Sequence, residues 1–197
     1  MNWIQHPILL QGEKVLLKPL QAEHFPELVE AAQHEIIWHY MPVNGMDKSK
    51  LEAALEEALK LFSSGEHIPF VVMETASNKI IGSTRLIHPN EAFRSIEIGW
   101  TWYRPEYWSK GFNEECKLLL LQYCFDTLKA SRVQLIAAEK NVRSRNAILR
   151  IGASFEGVLR DLVIRDGVKR SVAYYSILEN EWPAVKQNLK NLIQLKS

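Results

Sequence analysis

The stretch IEIGWTWYRPEYWSKGFNEECKLLLL, residues Ile96–Leu121, decides how this chain is read. Its first part alternates, with Ile96, Ile98, Trp100 and Trp102 on one face of a strand and Glu97, Gly99 and Thr101 on the other. A short aromatic and basic loop follows, and a long apolar helix starts at once. A strand that feeds a helix through a loop holding Lys110 and Gly111 can grip a phosphate. The unpaired N–H groups at the helix start point one way, and the macrodipole adds about half a positive charge there. Glu97 is the one carboxylate on the strand beside that cradle. An anion cradle next to a lone acid points to an enzyme that handles a phosphate-bearing cofactor.

Outward from this segment the elements alternate. Lys14–Pro19 reads as a first strand, Glu23–Ala32 as a short helix, and Leu51 to Phe62 as a helix with a possible Ser49–Glu52 capping box. Pro69–Glu74 and Ile80–Ile87 are strands joined by a turn at Ser77-Asn78, and Arg94–Trp102 completes that meander. The helix after the loop spans Gly111–Leu128. Arg132–Ala138 is a strand and Asn141–Ile151 a helix ended by Gly152. Strands follow at Ser154–Arg160, Leu162–Arg165 and Ser171–Leu178, with a hairpin turn at Asp166-Gly167. A last helix carries the stripe Trp182, Val185, Leu189, Leu192 and Ile193. The pattern predicts one domain over residues 1–197, an α/β (α+β) fold with a mixed sheet and helices packed on its faces.

Composition narrows the class. The chain has 197 residues, 47% of them apolar, and a net charge of +1. Without a basic excess, no nucleic acid and no anionic membrane is expected as a partner. No apolar run approaches the roughly 18 residues that span a bilayer, and the N-terminus lacks a charged segment followed by a long apolar one. Cys116 and Cys124 fall on one helix about 12 Å apart, beyond disulfide reach, which suits reduced packing residues in a cytoplasmic protein. The histidines are scattered without a ligand spacing, so no metal site is expected.

Several residues carry candidate chemistry. Glu97, with Gly99 leaving space beside it, can take a proton from an amine; the alternative is an ion pair to Arg85 or Arg94. The loop with Arg104, Lys110 and Gly111 is neither a Walker loop nor a dinucleotide fingerprint, and a plain capped helix competes with a phosphate site there. Asn141 suits a helix cap, and Ser144 suits a proton donor better than a nucleophile because no acid or histidine adjoins it. Trp38, His39 and Tyr40 form an aromatic knot that can line a substrate mouth or pack in a core.

Taken together, EIGW at Glu97–Trp100, YWSKGFNEE at Tyr107–Glu115, NVRS at Asn141–Ser144 and IGASFEGVLR at Ile151–Arg160 give a resemblance. The chain resembles the GCN5-related N-acetyltransferases, the GNAT superfamily, and within it the RimJ/RimL-type branch. The resemblance implies the GNAT fold, a splayed, mixed and mostly antiparallel sheet of about seven strands with helices on both faces. It implies acetyl-CoA as co-substrate, bound where two central strands part. The family loop Arg/Gln-x-x-Gly-x-Gly/Ala falls on Trp108–Asn113, where Gly111 matches and Trp108 and Asn113 depart. Cofactor contacts are then implied at Trp102, Tyr103, Lys110, Gly111, Phe112, Asn113, Glu114, Asn141 and Ser144. By the same resemblance Glu97 is the base and Ser144 the proton donor to the departing thiolate, while Trp38, Tyr40 and Trp100 border the acceptor.

The leading expectation is an N-acetyltransferase acting on a protein N-terminal amine or a small amine such as an amino acid. The alternative is a catalytically silent acyl-CoA-binding module. A possible homodimer face, built from the aromatic knot and the C-terminal helix, is compatible with either.

Overall fold

A computed structural model describes residues 3–196. The alternating segment becomes β5, Ser95–Tyr103, in the middle of a sheet. Before it come β1 (Leu10–Gln11), β2 (Val15–Pro19), β3 (His67–Glu74) and β4 (Ile80–Asn90). After it come β6 (Arg132–Ala138), β7 (Ser154–Arg165) and β8 (Val168–Leu178). These eight strands lie in the order β1-β2-β3-β4-β5-β6-β8-β7. Neighbours are antiparallel throughout except β5 and β6, which run parallel. A parallel pair needs a crossover, and α4 (Phe112–Gln122) supplies it.

Helices α1 (Phe25–Ala31), α2 (Glu35–Trp38) and α3 (Lys48–Ser63) connect β2 to β3 and pack on one face. Helix α4 packs on the other face with α6 (Trp182–Gln194). Helix α5 (Val142–Arg150) follows β6. Two apolar clusters result. The larger holds Ile96, Ile98, Phe112, Leu120 and Leu189; the smaller holds Leu28, Leu51, Leu55 and Trp102. Trp182 stacks on Phe125 at 5.4 Å and donates from its indole to Asp126 Oδ1 at 2.7 Å. The stripe of α6 packs on this chain's own core, with Trp182, Val185 and Leu189 all buried.

Several boundaries differ from expectation. The additional strand is β1, only two residues long and too short to leave a pattern. Ser154–Arg160 and Leu162–Arg165 are one strand, bent where Asp161 takes a φ of 52° and the register shifts between Leu159 and Val163. Asp47, not Ser49, caps α3, accepting the Lys50 N–H. Helix α4 ends at Gln122 and continues as a π-helical turn, Tyr123–Thr127.

The consequential difference lies inside β5. The alternation holds to Gly99 and breaks at Trp100, whose φ is 53°. Arg85 pairs with Gly99 and Ser83 with Trp102, so Trp100 and Thr101 together oppose Thr84. That is a β-bulge, which adds a residue and turns the strand over. Ile96, Ile98 and Tyr103 therefore pack on the α4 side, while Trp102 joins the cluster under α3. Trp100 also turns to the α3 side, against Arg85. The expected grouping of Trp100 and Trp102 with Ile96 and Ile98 is corrected: both tryptophans share the face of Glu97.

Candidate active site

The site begins where two strands stop pairing. β5 and β6 are in register from Ser95 opposite Arg132 to Ile98 opposite Leu135. Beyond that point β5 runs on to Tyr103 and β6 to Ala138 without pairing, so the β5 edge from Gly99 onward has no strand partner on that side. Because the strands are parallel, both lead to helix starts at the same end of the sheet. Crevices of this kind, outside the carboxyl ends of parting strands, are where α/β sheets bind ligands.

The two helix starts are built differently. Gly111 precedes α4 with a φ of 90°, a left-handed conformation that suits glycine, and offers no capping side chain. The α4 start therefore keeps N–H groups for an anion. Its two acids are engaged elsewhere. Glu114 accepts from Lys196 Nζ at 2.6 Å, and Glu115 accepts the N–H groups of Glu13 and Lys14, each at 2.8 Å. Glu114 thus has its carboxylate tied to Lys196, with Arg150 3.9 Å away. Phe112 is buried edge-on to Tyr107, Asn113 is half-buried, and Lys110 is exposed. At α5, Asn141 is a true cap: its Oδ1 accepts the Ser144 N–H at 3.1 Å. Ser144 is half-buried.

Trp108 closes one side of the cleft. Its indole donates to the Tyr103 carbonyl at 3.0 Å, and the Arg143 guanidinium lies over its ring at 3.6 Å. That contact ties the loop before α4 to the first turn of α5. Sequence reading passed over Arg143. A cation in the first turn of a helix opposes the dipole, and that anomaly was the available signal. The Tyr103 ring itself is buried.

Glu97 sits where the strands still pair. It is 6% exposed, and its Oε2 accepts from Gln134 Nε2 at 2.7 Å across β5 and β6. Burial pushes its carboxyl above the usual range, against the opposing pull of the Gln134 hydrogen bond and of His88. Neither arginine offered as an ion-pair partner reaches it. Arg94 bonds Glu179 and the Lys129 carbonyl, and Arg85 turns toward α3. The space expected beside Gly99 is already taken: a Cβ there would lie 3.3 Å from Glu97 Oε1 and 3.0 Å from Ile87 Cδ1.

On the same face a cavity of about 510 Å³ opens, lined among others by Trp100, Arg85, His67, Ala54 and Arg165. Trp100 therefore borders open space. Trp38 does not: it is 2% exposed, donates to the Ala32 carbonyl at 2.7 Å and packs 5.2 Å from the Trp102 ring. It belongs to the wall behind. Tyr40 lines a second cavity of about 370 Å³ with Asn141, Arg143 and Lys140. Cys116 and Cys124 are free and buried, and burial raises both thiols, so neither is set up as a nucleophile. Among the described residues no group of three His, Cys, Asp or Glu side chains could hold a metal, and no helix is long and apolar enough to cross a membrane.

Known proteins match this arrangement. Residues 14–154 match the acetyltransferase (GNAT) domain family. The chain is 28% identical over 173 residues to "Putative ribosomal N-acetyltransferase YdaF" of Bacillus subtilis, covering 87% of this chain and 93% of that protein. A GCN5-related N-acetyltransferase from Brucella melitensis superposes with a TM-score of 0.88 at 30% identity, over 95% of this chain and 86% of that one. RimJ of Mycobacterium smegmatis, solved with CoA-disulfide, shares the fold with a TM-score of 0.77 at 20% identity, over 90% and 88% of the two chains. The parted central strands and the uncapped helix start thus sit in a chain that belongs to the acetyltransferase (GNAT) domain family.

Proposed function

We propose that this enzyme moves an acetyl group from acetyl-CoA to a primary amine by direct attack. The observation that carries the reading is the parting of β5 and β6 beside a buried carboxylate whose pKa is raised. Bound acetyl-CoA supplies an activated thioester. The residues present suit it: Gly111 leaves the α4 start uncapped, and both acids of that turn are held by protein partners. The N–H groups of the loop from Trp108 to Asn113, with the backbone N–H of Glu114, would hold its pyrophosphate. The Asn141 cap and the unpaired β5 edge at Trp102 and Tyr103 would flank the pantetheine arm.

Glu97 takes the proton from the acceptor ammonium. A carboxyl raised toward neutrality is a better base for an amine than an ordinary one. Backbone N–H groups of the open β5 edge near Trp102 donate to the carbonyl oxygen as charge builds there. Ser144 gives its hydroxyl proton to the departing sulfur and regains one through water, as the newly acylated nitrogen sheds its second proton to that water. No covalent enzyme intermediate is required, and neither buried cysteine offers one.

The acceptor is a protein N-terminal amine or a small amine. The name of YdaF points toward ribosomal acceptors. A thiol-release screen with acetyl-CoA against amino acids, polyamines and short peptides tests the reaction. Release with at least one amine supports it. Tight acetyl-CoA binding with no release from any amine would replace it with a silent acyl-CoA-binding module.

A further inference from the structure

Arg85 is a buried cation without a counter-ion among the described residues. Its side chain is 5% exposed on β4, opposite Gly99. Nη2 donates to the Ala54 carbonyl at 3.2 Å, and Nη1 lies 3.4 Å from His67 Nδ1. The guanidinium carbon stands 4.2 Å from the centre of the Trp100 ring. Among the described residues no carboxylate comes within 4 Å of it. Burial lowers its pKa only to about 10, so it stays charged at neutral pH. The neighbouring His67 is pushed down to about 4, by burial first and Arg85 second, and adds no charge.

The rest of the cavity wall is balanced. Lys50 faces Asp47 at 3.4 Å, Arg165 faces Asp166 at 3.5 Å, and Glu57 faces Lys60 at 3.9 Å. Among the described residues Arg85 is therefore the uncompensated charge of the pocket. Taking a guanidinium out of water without a partner is unfavourable, and a carboxylate that enters the cavity offsets that cost. A planar fork over an aromatic ring suits such a group better than a point charge would.

Register places this charge next to the proposed base. Glu97 pairs with Ile87 and Arg85 with Gly99, on the same face. Such diagonal neighbours have Cβ atoms about 7–8 Å apart or less. One compact acceptor can then set its amine at Glu97 and an acid group at Arg85.

We propose that the acceptor carries a carboxylate, and that Arg85, stacked on Trp100, binds it. This rests on the acetyl-transfer reading of the same site. The carboxylate has two sources, a free amino acid or an acidic side chain beside a peptide N-terminus.

The test uses matched pairs. Free amino acids are compared with their carboxamides, and C-terminally amidated peptides bearing Asp or Glu at the second position with their Asn or Gln counterparts. Two readouts are taken on the full chain: thiol release from acetyl-CoA, and calorimetric binding of each acceptor in the presence of CoA. The acid form should win by about tenfold or more in kcat/KM, mostly through KM, and in affinity. The arm that shows the preference names the source. Arg85→Gln should erase the preference and Arg85→Lys should keep part of it, with circular dichroism confirming that each variant is folded. Equal use of acid and amide by the wild-type protein in both arms and both readouts overturns the proposal, whether or not the variants fold. A preference that survives Arg85→Gln overturns it as well. Binding that discriminates without any thiol release would retain the anion site and remove the transfer reading.

Discussion

Two buried cations flank the bulge in β5, one on each face of the sheet, and neither has a carboxylate partner among the described residues. Lys117 reaches from α4 and donates to Thr101 Oγ1 at 2.8 Å, and that hydroxyl in turn shares a hydrogen bond with Thr84. Arg85 reaches toward α3, over Trp100. Both are about 5% exposed, and burial lowers the pKa of each. Their surroundings differ. Lys117 is enclosed by the larger apolar cluster and lines neither cavity, whereas Arg85 lines the cavity of about 510 Å³ on the face of the sheet that carries Glu97. A buried charge alone therefore does not mark a ligand. A buried charge with room for a counter-ion, next to a group with its own chemistry, does. The bulge creates this contrast, because it turns Trp100 and Trp102 onto the Glu97 face and leaves Thr101 to Lys117.

The sharpest way to test the open face is Glu97→Gln. Loss of a general base should lower kcat by about 10²–10⁴-fold while acetyl-CoA affinity holds. The acid limb of the wild-type pH–rate profile should lie above the ordinary glutamate value of 4.5, because Glu97 must be ionised to act and burial raises its pKa. Stability should move the other way. A carboxyl with a raised folded pKa contributes most below its unfolded value, and that contribution is lost as pH rises through the folded value. The ionised form is thus a burden at neutral pH, and the glutamine variant should unfold at an equal or higher temperature. A variant that keeps full turnover would remove Glu97 from the mechanism.

On the enclosed face the matching experiment is a cavity. Leu120 is completely buried on α4. Leu120→Ala should cost about 2–5 kcal/mol in denaturant unfolding. Unlike Glu97→Gln, it should leave the pH–rate profile in place at temperatures where the protein is folded. A shifted acid limb would mean that the two faces are coupled through β5.

Between these extremes lies the α4 start. Gly111→Ala places a Cβ on a residue with φ of 90°, where it meets Lys196 Cβ at 3.4 Å. The left-handed conformation should cost about 1–2 kcal/mol. Acetyl-CoA affinity, measured by calorimetry, should fall as the loop N–H groups are displaced. Unchanged affinity in a destabilised variant would assign Gly111 to folding alone.

The sequence made one half of this contrast readable. Strand, loop and helix from Ile96 to Leu121 follow from local period and loop composition, and so does the Asn141 cap, because caps are set within a few residues. Glu97 could be placed on a strand with Gly99 beside it for the same reason. The bulge could not. Trp100 carries no local mark of a positive φ, and the slip arises from pairing with β4, whose strand lies outside the segment. Arg85 was read only as a partner for Glu97, since its true surroundings come from α3, β3 and β5 at once. Trp38 looked like mouth or core by composition, and packing against Trp102 and Gly45 makes it core.

The smallest expected effect tests the comparison from its other side. If Lys117 is a charge tolerated by the fold and not one held for a ligand, an apolar side chain of similar length should serve as well. Lys117→Met keeps the volume and removes the charge, at the cost of one hydrogen bond to Thr101, whose hydroxyl still pairs with Thr84. Stability at neutral pH should stay within about 1 kcal/mol of wild type or rise, as when buried charges are replaced by packed apolar groups. The pH dependence gives the sign. The folded pKa of Lys117 lies below 10.5, so its charged form is a burden that fades as pH climbs toward the unfolded value. Any advantage of the methionine variant should therefore shrink in alkaline buffer. Acetyl-CoA affinity and acceptor preference should match wild type. A selective loss of either, with stability intact, would show that the enclosed cation also serves the site and would break the distinction between the two faces.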